Sequence, residues 1–241
     1  MSYGVNRFNK QIKPQSTLLS GLVAYWPLDE PSGARRDLAK RYLATDNNTV
    51  GSTQGFRGYA ARFVAASDES LSRTDNDDLS GGGSFTIAFW TRFNTLTGDM
   101  ALVSKWKAAG DAECDYLINV TTTSFVFATT SNGDAFSTYD EVGASTPSPP
   151  VTGVWYFVVC QFDAVAQVGY ISINNATPDT KAFAGQVFNG AHIFELGAID
   201  ATVLSLDGDL NHVGVWRRVL TDREINWLYN GGKGREYPFT N

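Results

Sequence analysis

Ser84-Phe85-Thr86-Ile87-Ala88-Phe89-Trp90-Thr91-Arg92-Phe93 places a large apolar side chain at every second position through its first half. A period of two puts Phe85, Ile87 and Phe89 on one face of a β-strand. The same signal recurs on both sides. Leu22–Trp26 and Gly58–Val64 precede it. Trp155-Tyr156-Phe157-Val158-Val159-Cys160-Gln161-Phe162 follows, apolar on both faces, as a strand buried inside a sandwich would be. In Gly169-Tyr170-Ile171-Ser172-Ile173-Asn174, the two isoleucines point one way, and Ser172 and Asn174 the other. Further strands are expected near 101–106, 115–120, 124–129, 192–198 and 209–216.

Turn residues make the joints: Asn132-Gly133-Asp134, Asp207-Gly208 and Gly81-Gly82-Gly83. Ser145-Thr146-Pro147-Ser148-Pro149-Pro150 reads as a stiff surface loop within the domain. One helix is expected. Thr221-Asp222-Arg223-Glu224 is a capping box, Ile225, Leu228 and Tyr229 follow at helical spacing, and Gly231-Gly232 ends the run. The fold class is therefore all-β: one antiparallel sandwich with a short C-terminal helix.

Composition supports this reading. The chain has 241 residues, 6 Trp, 10 Tyr and 15 Phe, and only 18% charged residues, which argues against disorder. It is long enough to bury a self-sufficient core without a disulfide or a metal. Cys114 and Cys160 leave pairing open. The net charge of -6 argues against general nucleic-acid binding. That charge is uneven: residues 1–28 carry +3 and residues 29–241 carry -9. Residues 1–28 run from basic to apolar, but Gly21 and Trp26-Pro27 break the layout of an export signal, and no stretch is long enough for a membrane span. Residues 1–20 read instead as a docking arm, with Arg7, Phe8, Lys10 and Lys13 as its partner-contacting residues. The expected organisation is arm 1–20, domain 21–230 and tail 231–241.

Several segments resemble the laminin G-like, concanavalin A-like lectin/glucanase jelly rolls. Gly21-Leu22-Val23-Ala24-Tyr25-Trp26-Pro27-Leu28-Asp29-Glu30 with Ser32-Gly33 is similar to the opening strand and turn. Ala61-Arg62-Phe63 with Ser67-Asp68-Glu69-Ser70-Leu71, Ser84–Trp90, and Val154-Trp155-Tyr156-Phe157-Val158 follow in family order. Gly208–Trp216, then Leu220-Thr221-Asp222, Glu224-Ile225 and Leu228-Tyr229-Asn230, resemble the last strand and helix. Where Asn211 stands the family often has aspartate. The ending Leu228–Phe239 is similar to those of stand-alone jelly-roll proteins of phages and environmental bacteria. The resemblance implies the fold; function needs a site, because this fold hosts many activities.

Relatives on this fold hydrolyse polysaccharides through Glu-x-Asp-x-x-Glu on one strand. Here Glu113-Cys114-Asp115-Tyr116-Leu117-Ile118 supplies two acids and replaces the third with isoleucine, so the required carboxylate pair fails. No nucleophile elbow accompanies His192 and His212, which read as strand residues with ordinary hydrogen bonds. No phosphate-binding glycine motif is present. The sequons at Asn47, Asn119 and Asn175 carry weight only in a secreted chain. Sugar binding would use loop aromatics beside polar groups: Trp106, Phe136 and Tyr139 with Asp111, Glu113 and Asp134. Trp26, Trp90, Trp155 and Trp216 are expected in the core. The sequence fixes no cofactor. Calcium is the one metal the family suits, with Asp68, Asp207 and Asp209 as loop ligands beside Glu69 and the 75–78 run.

The leading expectation is a non-catalytic structural or display module, a phage virion protein in capsid decoration or the tail, oligomeric in context. Its arm would dock it on the assembly, and its displayed loops would either reinforce a shell or hold host glycans. The alternative is a carbohydrate-binding module of a bacterial surface or secreted protein; a polysaccharide hydrolase ranks third. Either of the first two would work at a virion or extracellular surface.

Overall fold

The computed structural model describes residues 17–40, 42–108, 113–134, 139–147 and 149–240. The docking residues Arg7, Phe8, Lys10 and Lys13, and the ligand candidates Asp111 and Phe136, lie outside them.

Among the described residues two eight-stranded antiparallel sheets face one another. The first holds β1 (Leu22–Trp26), β4 (Gly51–Gln54), β5 (Tyr59–Phe63), β7 (Phe85–Phe93), β12 (Trp155–Asp163), β13 (Val168–Ile173), β14 (Asp179–Ala182) and β16 (Gly208–Trp216). The second holds β2 (Arg35–Arg36), β3 (Leu43–Asn47), β6 (Ser70–Arg73), β8 (Met100–Lys105), β9 (Tyr116–Val120), β10 (Phe125–Thr130), β11 (Tyr139–Gly143) and β15 (Phe194–Leu196). The first runs β14-β13-β12-β7-β16-β5-β4, with β1 also on β16; the second runs β11-β10-β9-β8-β15-β6-β3-β2.

The alternation in β7 sets the layers. Phe85, Ile87 and Phe89 point between the sheets and meet Phe127, Ile118 and Leu102 in the main core. Ala88 and Trp90, one step out of phase, join Phe157, Val159 and Trp216 on the outer face of the first sheet. That face is closed by helix α1 (Asp222–Tyr229), by Leu18 before β1, and by Phe239 beyond the helix. Both faces of β7 and β12 are therefore buried, which is why these strands carry apolar residues in both phases.

β16 changes partners midway. Gly208–Leu210 pairs with β5, and Val213–Trp216 pairs with β1. A bulge between Asn211 and Gly214 marks the seam, with His212 at φ +53°. Asn211 closes it. Its Nδ2 donates to the carbonyls of Pro27 (2.7 Å) and Tyr59 (2.8 Å), and its Oδ1 accepts from Arg57 N. A carboxylate could not make the two donations, so asparagine is the residue this seam requires.

Three expectations are corrected here. Gly208 is not a turn residue: it opens β16, and a Cβ there would lie 2.5 Å from the Arg92 carbonyl, so glycine permits close strand approach. The helix is capped by Asn230 in the left-handed conformation (φ +52°), ahead of Gly231. Asn174 belongs to a turn and not to β13: Asn174 and Asn175 sit at φ +53° and +60°. At the other helix end, Thr221 and Glu224 form the full capping box.

Candidate ligand-binding site

The outer face of the second sheet carries no helix among the described residues. Small and apolar side chains pave part of it: Ala101, Leu117 and Ala128, with Ile199 and Leu204 folded over from the β15–β16 loop. Trp106, just past the end of β8, packs in the same cluster. Its ring meets that of Tyr139, at the start of β11, edge-on with centroids 6.4 Å apart and planes at 83°. The two differ in access. Trp106 is 8% exposed and serves mainly as the wall behind Tyr139, which is 52% exposed. Trp106 as an open ligand platform is thus a correction; the free aromatic surface belongs to Tyr139.

A charged cluster follows Trp106. Glu113 lies 3.3 Å from Lys107 Nζ and 3.7 Å from His192 Nδ1. His192 Nε2 lies 2.8 Å from Asp200 Oδ1, and the other Asp200 oxygen accepts from Ala108 N. The β8–β9 segment, the approach to β15 and the β15–β16 loop thus converge through side chains. Asp134 sits in the β10–β11 connection, where its amide donates to Asn132 Oδ1. His192 precedes β15, outside any strand, and joins the cluster through two acids. The expectation of a strand position for His192 is corrected here, and the sequence does not single out Asp200, because their neighbours here are distant in the chain.

The glucanase-like acids have been put to other use. Asp115 is fully buried and accepts from the amides of Gly81 (2.9 Å) and Gly190 (2.7 Å), with Lys105 Nζ at 3.4 Å. Desolvation pushes its carboxyl up to about 6, against the pull of Lys105 and the two amides. Lys105, also fully buried, reaches Asp75 at 3.0 Å and the Gly190 carbonyl. This pair ties β8 and β9 to the glycine loop at 81–83. Ile118 fills the inter-sheet core, where a catalytic carboxylate could not stand.

The three calcium candidates have their own partners. Asp209, expected as a ligand, is fully buried between the guanidinium groups of Arg62 and Arg92, which take both its oxygens and would oppose a cation. Arg92 lies over the Trp155 ring at 4.8 Å. Asp207 accepts from Asn94 (3.1 Å) and Thr95 (2.8 Å). Asp68 caps a 3-10 turn at φ +51° and faces Ser205. Among the described residues no group of three His, Cys, Asp or Glu side chains is placed to hold a metal ion. Cys114 and Cys160 are both buried and are not joined in a disulfide. No described helix is long and apolar enough to cross a membrane.

His212 lies apart from this site, in the β16 bulge. Its Nδ1 meets Tyr25 Oη at 3.0 Å, and burial holds its pKa down at about 4.

Comparison with known proteins agrees with this architecture. The binding domain of Paraclostridial Mosquitocidal Protein 1 superposes with a TM-score of 0.70 at 15% identity, covering 91% of this chain and 53% of that one. A botulinum neurotoxin DC binding domain, solved with SialylT, gives 0.65 at 14% identity, covering 88% and 52%. The chain thus spans about half the length of these toxin domains. Domain 4 of AbnA, a GH43 extracellular arabinanase from Geobacillus stearothermophilus solved with arabinotriose, gives 0.65 at 14% identity. There the coverage is 90% of this chain and 99% of that one. No curated protein sequence matches the chain. The laminin G-like family model, described as the concanavalin A-like lectin/glucanases superfamily, matches residues 65–226. With two thirds of its length matched and the jelly-roll sandwich in place, the chain belongs to the laminin G-like family of the concanavalin A-like lectin/glucanases superfamily.

Proposed function

We propose that this chain is a non-catalytic carbohydrate-binding module working outside a cell or on a particle surface. The observation that carries the reading is the exposed Tyr139 ring, packed edge-on against Trp106, whose chain neighbour Lys107 leads into the Glu113, His192 and Asp200 cluster. An open aromatic face takes the apolar face of a sugar ring, and the adjoining charged groups offer hydrogen bonds to its hydroxyls. Support comes from the near-complete overlap with an arabinanase domain solved with arabinotriose. The locked Asp115 and the core position of Ile118 support a binding role over hydrolysis.

A glycan array with the intact chain tests this reading. Selective binding is expected, weakened about tenfold or more in Tyr139→Ala, the scale of one aromatic contact. A blank array, or selective binding that ignores Tyr139→Ala and Glu113→Gln alike, would remove this site from consideration.

The finer reading, display on a phage virion through residues 1–20, draws support from the inner end of that arm. Leu18 is fully buried, Trp216 Nε1 donates to its carbonyl, and Arg218 holds the carbonyls of Thr17 and Ser20. A partner bound ahead of residue 17 would therefore be tied directly to the sandwich. Deleting residues 2–16, which spares Leu18, should abolish incorporation into particles; unchanged incorporation sinks the docking role.

A further inference from the structure

A second recess lies on the outer face of the first sheet. It is a cleft of about 300 Å³ between the outer face of β12–β13 and the first turns of α1. Its floor is Val159 and Ile225, both buried. One lip is the exposed 176–178 segment; the other is Asn226 on the helix.

The polar groups are held in place before any ligand arrives. Gln161 is 6% exposed, and its Oε1 accepts from both Thr86 Oγ1 (2.9 Å) and Leu220 N (2.8 Å). Those two bonds fix the amide plane, and among the described residues no acceptor meets its Nε2, so this group donates into the cleft. Ser172, equally buried, donates to the Ala176 carbonyl at 2.7 Å and keeps its acceptor side. Asn175 is turned toward the helix by the left-handed pair Asn174-Asn175, and its Nδ2 donates to Asn226 Oδ1 at 3.2 Å. Tyr170 adds a half-buried ring to the wall.

The ligand class follows from these groups. Among the residues that line the cleft, Asp222 is the single charged one. The rest are amides, hydroxyls, one aromatic ring and an aliphatic floor. A phosphate or a carboxylate finds no cation here, and an aliphatic chain would leave Gln161 unmatched. A neutral polyhydroxylated ring satisfies both parts: hydroxyls for the amides and Ser172, a C–H face for Tyr170. We infer that this cleft is a second, independent site for one neutral saccharide residue, making the module two-sited across its opposite faces.

The test maps binding residue by residue on the intact, 15N-labelled chain, titrated separately with arabinotriose, cellotriose and maltotriose. At least one sugar should shift the backbone amides of Tyr170, Ser172 and Asn226. Asn226→Ala, on the exposed helix face, and Tyr170→Ala should each weaken that response about tenfold, as loss of a hydrogen bond or ring contact would. Neither should alter shifts around Tyr139. Shifts confined to the Tyr139 end overturn the cleft and leave the first site standing. Shifts confined to the cleft uphold it and overturn the first site. No shift at the cleft with any of the three sugars overturns the inference.

Discussion

At Glu195, burial and charge are in open conflict. The side chain is fully buried on β15, and Ala201 N donates to its Oε1 at 3.0 Å. Desolvation raises its pKa from 4.5 to about 7, despite the backbone donors that pull it down. A carboxyl raised in the folded state stabilises fully below its unfolded value, and that contribution is lost as pH rises through the folded value. Stability should therefore fall between about pH 4.5 and 7 on account of this group. Glu195→Gln should flatten that decline and leave the protein more stable than wild type at pH 8. Superimposable denaturation curves across this range would contradict the conflict described. Asn211 makes the opposite case, a buried polar group with every partner in place. Asn211→Asp, the residue frequent in the family, should cost about 3 kcal/mol or more at pH 7. It removes two donations and buries a charge beside two carbonyls. Chemical denaturation at pH 7 measures it, and a loss under about 1 kcal/mol would show that the seam tolerates a carboxylate.

Helix α1 owes its place to one glutamate. Glu224 completes the capping box with Thr221 and receives two bonds from Arg218, at 2.8 and 2.6 Å. Burial pushes its carboxyl up, but Arg218, Thr17 and the Thr221 amide outweigh this and hold it at about 2. A depressed carboxyl stabilises above its unfolded value of 4.5 and loses that contribution as pH falls toward 2. Glu224→Gln keeps the box and loses the charge, so about 2 kcal/mol should disappear at pH 7, with no further loss from this site on acidification. Thermal unfolding at pH 7 and pH 3 reads both effects; an unchanged pH dependence would place the acid sensitivity elsewhere. The elements differed in how plainly the sequence announced them. β7 and β12 were legible because each buries large side chains at regular spacing. β3 (Leu43–Asn47), β4 (Gly51–Gln54), β6 (Ser70–Arg73) and β14 (Asp179–Ala182) were not, since they are short, polar and held by backbone pairing to neighbours.

Across the whole molecule, segments on both sides of the sandwich strands complete its outer layer. Phe239 is fully buried at φ +66°, edge-on to Tyr25 at 5.4 Å, and its carbonyl accepts from Trp227 Nε1. Leu18 and Trp216 belong to the same cluster. Phe239→Ala should cost about 3–5 kcal/mol, as loss of a core aromatic does. It should also speed hydrogen exchange in α1 more than in β8–β10. A change within about 0.5 kcal/mol would make residues 237–239 surface dressing. The candidate sites show the same dependence on the assembled fold. Trp106, Glu113 and Tyr139 stand out in the sequence as two aromatics and an acid, although Tyr139 opens β11. Asp200 bonds Ala108 across 92 residues, and Gln161 meets the Leu220 amide across 59; no local pattern reports such contacts.

The sequence by itself determined the sandwich, its antiparallel layers and its capped helix. Those depend on side-chain period and on end groups close together in the chain, where each residue's choice is local. Only the tertiary structure decided what each polar group does. Asp115 and Asp209 carry the residue types of catalytic and calcium sites, yet the fold brings Lys105, Arg62 and Arg92 against them from other strands. A buried charge takes its role from whatever the chain's distant parts place within a few ångströms of it. The strands were therefore legible in advance, while the sites had to be read from the packed molecule.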